Sequence, residues 1–270
     1  MNKNEEKTTE KKLGISFGKT EGFRKYVFGD TIDELIDGLE VLKDGRFINY
    51  FLCKFPDLSE EQLNRLDIIM SQTNDGNEIL NYLCKRKKVN NVEKFEDILI
   101  KTRKLSLLVY FAKEVKGADI RRLENIILES KDAPNIYNFA KEVEGANLLK
   151  LKNALLETKK AFYIALFFEK FQKKERIING EDIKKGEDIV VQSLDAFAII
   201  NFAIGVNGAN IEKLEDAIIK TEDGEKIIEF AERIETANTN KLGKAIKKMK
   251  NPQFKKEFRK RLKSKRKHIF

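Results

Sequence analysis

Apolar and polar residues alternate along this chain with the period of an α-helix, and the pattern repeats about every 28 residues. In the most regular copy, residues 132–158 (DAPNIYNFAKEVEGANLLKLKNALLET), one helical face carries Ile136, Phe139 and Val143. A glycine then ends this first helix. A second amphipathic helix follows, with a buried stripe formed by Leu148, Leu151, Ala154 and Leu155. The copy therefore predicts one helical hairpin.

A large apolar residue, called the anchor here, marks the first helix of each copy. The anchors stand mostly 28 residues apart, at Phe51, Leu83, Phe111, Phe139, Phe167, Phe202, Phe230 and Phe258. Regular spacing of this kind is typical of repeat proteins. We therefore predict an all-α fold, a right-handed α-solenoid of about seven stacked helical hairpins, in which each hairpin packs mainly on its neighbours.

The polar residues that recur are explained by helix capping. An Asp or Asn opens most first helices, at Asp44, Asp132, Asp195, Asp223 and Asn251. A Gly-Ala-Asp or Gly-Ala-Asn turn recurs inside three hairpins, at Gly117, Gly145 and Gly208, and a fourth has Thr236-Ala-Asn238. The glycine ends one helix and the Asp or Asn caps the next. Capping boxes are predicted at Thr31 with Glu34 and at Ser59 with Gln62.

Over residues 31–258 the hairpin pattern resembles that of α-solenoid repeat proteins of the HEAT and tetratricopeptide type. The resemblance implies the architecture alone, because the period is shorter and the tetratricopeptide pattern of Trp, Gly, Tyr and Pro is not present. We predict three segments. Residues 1–12 form a disordered, charged N-terminus, residues 13–250 form the repeat domain with an N-terminal capping element, and residues 251–270 form a basic capping helix and tail.

Charge is distributed unevenly along the chain. Residues 241–270 contain fourteen Lys or Arg and one acid, so residues 1–240 carry a net charge of −4 within a total of +9. No apolar run approaches the roughly 18 residues of a membrane span, and the first residues lack the apolar core of a signal peptide. We therefore expect a cytoplasmic protein. The Lys, Ile, Glu and Asn usage points to an AT-rich genome, such as that of a bacterium or mobile element.

Aligned copies place a basic residue at one position of the second helix. This set, called the ladder below, comprises Arg65, Lys94, Arg122, Lys150, Lys213 and Lys241. A row of cations could follow a phosphate backbone or an acidic partner. Alternatively, the acids in nearby columns pair with the ladder as solvated salt bridges; they include Asp67, Glu96, Glu124 and Glu215.

Two further segments carry candidate binding cations. Residues 173–188 lack the usual turn and predict a protruding loop or a lengthened first helix, with Lys173, Lys174, Arg176, Lys184 and Lys185. The tail predicts a closing helix with an apolar stripe of Phe254, Phe258 and Leu262, followed by a charged end. Its cations are Lys255, Lys256, Arg259, Lys260, Arg261, Lys263, Lys265, Arg266 and Lys267. The alternatives are a tolerated insertion and a solubilising cap with a disordered end.

Two weaker patterns have structural alternatives. Tyr50, Tyr82 and Tyr110 precede the first three anchors and would suit base stacking, but their helical spacing favours partial burial between repeats. Residues 14–20 (GISFGKT) resemble a phosphate-binding loop that contains Lys19. The segment is one residue too short and does not follow an apolar strand, so a plain turn and helix start is the alternative.

Residue types that carry catalysis are sparse. The single histidine, His268, lies near the end, and Cys53 and Cys84 stand in apolar helical contexts, so we predict no metal and no cofactor. HEAT-like DNA glycosylases catalyse on a similar architecture, but they hold the lesion with tryptophan, and this chain has none. We predict a non-enzymatic scaffold, adaptor or inhibitor that engages a protein or protein–nucleic-acid complex. The alternative is a sequence-nonspecific DNA- or RNA-binding protein.

Overall fold

The computed structural model describes residues 31–86, 88–173 and 177–267, with side chains described as far as Leu262. These residues form sixteen α-helices and no β-strand, which confirms the all-α class. None of the helices is long and apolar enough to cross a membrane. The chain divides into two compact units, residues 1–123 and 124–270.

The first unit contains short helices of 10 or 11 residues. They are α1 (Ile32–Leu42), α2 (Gly45–Lys54), α3 (Glu60–Met70), α4 (Gly76–Lys85), α5 (Val92–Lys101), α6 (Leu105–Glu114) and the start of α7 (Ile120–Ser130). Each packs on helices one or two places away along the chain; thus α2 packs on α4, and α4 packs on α6. Even-numbered helices are the first helices of the predicted hairpins, and odd-numbered helices are the second helices.

The second unit repeats this arrangement. It contains the end of α7 and then α8 (Ala133–Glu142), α9 (Leu148–Thr158), α10 (Ala161–Phe171), α11 (Gly180–Ser193), α12 (Ala196–Gly205), α13 (Ile211–Lys220), α14 (Gly224–Arg233), α15 (Thr239–Lys248) and α16 (Pro252–Lys267). The first helices α8, α10, α12, α14 and α16 pack in succession, and so do the second helices α11, α13 and α15.

The predicted caps and turns are present. Asp132 accepts a hydrogen bond from the Asn135 backbone N–H at 2.9 Å, and both predicted capping boxes form. The turn glycines adopt positive φ, +94° at Gly117, +81° at Gly145 and +85° at Gly208. This left-handed conformation is the one for which glycine has no steric penalty, which explains its recurrence at the end of the first helix.

The core is built on the anchors, with one correction. Five of the anchor phenylalanines are fully buried, namely Phe111, Phe139, Phe167, Phe202 and Phe230. The anchor of α4 is Tyr82 and not Leu83, because it stands seven residues after the capping Asp75, as Phe139 does after Asp132. Tyr82 is 0% exposed, so it belongs to the core and not to an exposed aromatic column.

Two predicted element boundaries are also corrected. The first helix α10 ends at Phe171 with 11 residues, against 10 in α8, so it is hardly lengthened, whereas the second helix α11 has 14 residues against 11 in α9. The other additional residues lie between Phe171 and Gly180, where residues 174–176 are outside the described part, so the protruding loop stays a prediction. A capping box between Asn179 and Asp182 starts α11 early. The closing helix α16 does not end with its apolar stripe at Leu262 but continues to Lys267.

Candidate binding surfaces

Buried glutamates on the second helices hold the inter-helix turns in place. Each accepts the backbone N–H of a helix-capping residue 23 positions later, in the next hairpin. The pairs and their distances are Glu96 to Asp119 at 2.9 Å, Glu124 to Asn147 at 2.6 Å, Glu187 to Asn210 at 2.7 Å and Glu215 to Asn238 at 2.5 Å. These glutamates, which lie beside the ladder, therefore have a structural role, because the N–H groups that they accept would otherwise lack a partner.

Most ladder cations form ion pairs with acids of the preceding second helix. Arg122 contacts Glu96 at 3.3 Å and Asp97 at 2.7 Å. Lys241 contacts Glu215 at 3.5 Å and Asp216 at 2.8 Å. The same arrangement joins Lys213 to Glu187 and Asp188, and Arg65 to Asp33 and Asp37. The hydrogen bond to Asp188 raises the pKa of Lys213, so this cation is charged and already neutralised by its neighbours.

Lys94 and Lys150 are the two ladder cations without an ion pair among the described residues. In the second helix before Lys150, Asn125 stands at the position where other repeats have an aspartate. The neighbouring Glu124 accepts the Asn147 N–H. The ladder is thus a row of inter-repeat salt bridges with two exposed, unpaired positions. Its binding of phosphate stays a prediction.

The insertion contributes one ladder residue that the sequence alignment missed. Lys185 occupies the ladder position of α11, two residues before the buried Glu187, and pairs with Glu181 at 2.8 Å. The 23-residue spacing from Glu187 to Asn210 is the signal that would have identified it. Lys173 and Lys184 are exposed, while Lys174 and Arg176 lie outside the described residues.

A buried ion pair replaces the usual glutamate beside the insertion. In α9 the buried position holds Lys152, whose Nζ lies 2.6 Å from Asp182 Oδ2, and the side chains are 4% and 11% exposed. Asp182 also accepts the Asn179 backbone N–H at 3.0 Å. In this hairpin the group that faces the buried position of α9 is the carboxylate of Asp182 and not a backbone N–H group. The buried residue of α9 is therefore a base, Lys152, where other second helices have an acid.

A second buried network surrounds the tyrosine anchor of α4. The Tyr82 hydroxyl donates to Asp67 Oδ1 at 2.5 Å, and Arg86 donates to both oxygens of Asp67, at 3.2 and 3.3 Å. Burial raises the pKa of Tyr82 well above its ordinary value, so the phenol remains a neutral donor. Of the three tyrosines aligned in the sequence, only Tyr50 and Tyr110 are exposed, at 40% and 46%.

An apolar surface on α10 and α12, called the apolar patch below, was not predicted. It comprises Phe162, Phe197 and Ile204, which are 37%, 59% and 43% exposed. Phe162 and Phe197 stand at the same position of successive first helices, five residues before their anchors. Alone among the described first helices, α12 (AFAIINFAIG) has no charged residue. This uncharged sequence is the signal that could have identified the patch.

The tail cations lie on α16 and point to different neighbours. Arg261 pairs with Glu257 at 2.8 Å and with Glu232 of α14 at 3.1 Å. Lys256 and Lys260 border the same α14 side, whereas Lys255 and Arg259 face α15. The backbone of residues 263–267 is helical, but the side chains of Lys263, Lys265, Arg266 and Lys267 lie outside the described part of the structure.

The remaining predicted features fall partly outside the described residues. The charged start at 1–12, the loop at 14–20 with Lys19, and His268 all lie there. Within residues 31–86, 88–173 and 177–267, no group of three or more His, Cys, Asp or Glu is placed to hold a metal ion. Comparison of the chain with known protein families, with curated proteins and with solved structures finds no match.

Removing a buried glutamate should detach the next turn. We expect Glu187→Ala to lower the free energy of unfolding by about 2–3 kcal/mol, because it leaves a buried N–H unsatisfied and removes one of the two ion pairs of Lys213. Glu124→Ala removes only the hydrogen bond. Its effect on the free energy of unfolding should therefore be smaller than that of Glu187→Ala, by up to about 1 kcal/mol. Urea unfolding followed by circular dichroism measures both. The exposed Glu157 is the control, and Glu157→Ala should change stability by less than about 0.5 kcal/mol. Equal effects of all three substitutions would contradict the role of the buried column.

Proposed function

We propose that this chain is a non-enzymatic α-helical scaffold, an adaptor or inhibitor, that binds a protein, alone or within a protein–nucleic-acid complex. The apolar patch on α10 and α12 is the observation that supports this proposal. Much of the polar chemistry on the repeats is taken up by caps, buried glutamates and inter-repeat ion pairs, which serve the fold. The exposed part of the patch serves no such purpose, because its three residues leave 37% to 59% of their surface in contact with solvent.

We further propose that the helices build an α-solenoid of about seven hairpins, of the kind that HEAT and tetratricopeptide proteins use. Within each unit, helices pack on those one or two places away along the chain, as stacked hairpins do. The recurrent 23-residue hydrogen bond from a buried glutamate to the next turn also favours such stacking. Solenoids present long surfaces of equivalent side chains, which suits binding to a macromolecule.

The chemistry of the patch favours a protein as the partner. Exposed apolar surface of this kind marks interaction sites, and aromatic side chains contribute strongly to protein interfaces. Lys226 Nζ lies 3.7 Å from the ring centroid of Phe197 and pairs with Glu229 at 2.8 Å, so an ion pair borders the patch. A partner with an apolar centre and a polar edge would complement both features.

Direct binding of nucleic acid through the ladder receives less support. Arg65, Arg122, Lys213 and Lys241 already contact carboxylates. A phosphate backbone would have to displace these acids, so the gain in charge interaction would be small.

Removing the apolar side chains tests the proposed partner site. The variant Phe162→Ser/Phe197→Ser/Ile204→Ser should recover at least about tenfold less partner from extracts of the native cell, as expected for loss of interface hot spots. Quantitative pull-down with and without nuclease then distinguishes a protein partner from one bridged by nucleic acid. The matched control is Leu149→Ser, which changes a 51% exposed leucine on α9. A partner held equally by the patch variant, the control and the wild-type chain would overturn the proposal.

A further inference from the structure

The last second helix, α15, departs from the acidic pattern of the others. The buried glutamate and the following aspartate, Glu215 and Asp216 in α13, are replaced in α15 by Gly243 and Lys244. In the preceding repeats these two acids neutralise the cations of the next hairpin. Where they are missing, α15 offers no carboxylate at these two positions to the cations packed beside it.

The helices α15 and α16 enclose a groove of about 410 Å³ that concentrates these cations. Four basic side chains line it, and none of them makes an ion pair among the described residues; they are Lys244, Lys247, Lys255 and Arg259. Thr239 and Asn240 add neutral polar groups, and the remaining lining is Gly243, Ile246 and Phe258. The lining of this groove contains no acidic side chain.

Gly243 lets the two walls of the groove approach each other. A Cβ atom at this position would stand 3.0 Å from Cε1 of Phe258, closer than side chains normally pack. The glycine therefore allows α16 to lie against α15. The cavity on the other side of α16, of about 510 Å³, differs in charge because Glu225 and Glu257 line it together with Lys256, Lys260 and Arg261.

We propose that the α15–α16 groove binds the phosphate backbone of a nucleic acid. Lys255 and Arg259 stand four residues apart and Lys244 and Lys247 three apart, so their Cα atoms are separated by about 6 Å and about 4.5 Å along the helix axes. Each strand of duplex DNA carries a charge about every 3.4 Å along the helix axis, so a short length of such a backbone could meet cations on both walls. Thr239 and Asn240 supply the neutral side-chain contacts that phosphates also accept.

An acidic polypeptide is the competing ligand, and the groove favours phosphate over it. Carboxylates of a peptide are interrupted by backbone and uncharged residues, whereas every unit of a nucleic-acid strand is charged. Half-buried Phe258 adds an aromatic ring beside the cations, and aromatic rings beside cations are typical of grooves that follow single strands. The inference stands independently of the apolar patch, which lies on other helices.

The test measures binding of the full chain to fluorescent single-stranded DNA and RNA of about 20 nucleotides across a salt series. Changing Lys244, Lys247, Lys255 and Arg259 to Gln should weaken binding at low salt by at least about tenfold. It should also reduce the slope of log affinity against log salt by up to about 3, since each phosphate contact contributes about 0.7 for single strands. Each pair changed separately should give about half of this effect.

The control removes four exposed cations of the same unit that lie outside the groove and make no ion pair among the described residues, Lys131, Lys160, Lys170 and Lys220. Their change to Gln alters the net charge equally and should leave the slope unchanged. Gly243→Leu keeps every charge but pushes Phe258 away, and should also weaken binding.

Two results would overturn the inference. Equal loss in the groove and control variants would show that only total charge matters, and tighter binding of an oligoglutamate of matched charge would assign the groove to an acidic protein. The apolar-patch variant should bind the oligonucleotide as the wild-type chain does. Failure of the protein-binding proposal is therefore distinguishable from failure of this one.

Discussion

Replacing Lys152 by methionine should lower the free energy of unfolding by about 3 kcal/mol, because breaking a buried ion pair leaves one charge without compensation. Lys152 Nζ and Asp182 Oδ2 are 2.6 Å apart, and both side chains are almost fully buried. Methionine fills the space of the lysine stem but offers Asp182 no cation. Urea unfolding gives the free energy, and amide hydrogen exchange in α9 and α11 should show where protection is lost.

A double variant that also changes Asp182, and a control variant at the neighbouring Lys150, complete this test. In the double variant Lys152→Met/Asp182→Asn, the asparagine oxygen can still accept the Asn179 N–H, so at least about 1 kcal/mol should be regained. Lys150→Met is the matched control, since Lys150 is exposed and unpaired two residues away. It should change stability by less than about 0.5 kcal/mol. If the two single lysine variants were equally stable, the buried pair would not hold α9 to the start of α11.

The elements were predictable because their signals are local. Asp132 and Asn147 cap helices a few residues away, and Gly145 ends a helix through its own φ angle, so all three can be identified from the sequence. The anchor of α4 was misplaced by one residue because leucine is the usual core residue. Tyr82 is buried in its place because Asp67, 15 residues earlier, accepts its hydroxyl hydrogen bond.

The chemistry of the surfaces depends on contacts between repeats and was harder to predict. The ladder was identified as a row of cations, and pairing with nearby acids was one of its two interpretations. Which acids pair depends on contacts between helices, as where Glu187 and Asp188 approach Lys213 from the preceding helix. The apolar patch was not predicted, because the exposure of Phe197 and Ile204 cannot be read from the apolar sequence of α12. Residue composition cannot distinguish a helix buried on every side from one that leaves an apolar face in solvent.

Replacing Asp67 by asparagine should lower the free energy of unfolding by about 3 kcal/mol, because it leaves the buried guanidinium of Arg86 without its counter-charge. Arg86 and Asp67 are 7% and 5% exposed, so water cannot take over the lost interaction. Asparagine preserves the shape of the site and can still accept one hydrogen bond. The effect therefore reports the charge and not a cavity. Urea unfolding of the full chain and amide exchange in α3 and α4 measure it.

Tyr82→Phe separates the hydrogen bond from the ion pair in the same network. Phenylalanine is the anchor of most other repeats, so packing is kept, and the loss should be about 1.5–2 kcal/mol for one hydrogen bond to a charged acceptor. The double variant should lose less than the sum of the single effects, because both substitutions remove the same contact with Asp67. Asp97→Asn is the control, as Asp97 is 45% exposed and pairs with Arg122 at the surface. A loss as large for Asp97→Asn as for Asp67→Asn would mean that burial does not determine the strength of these pairs.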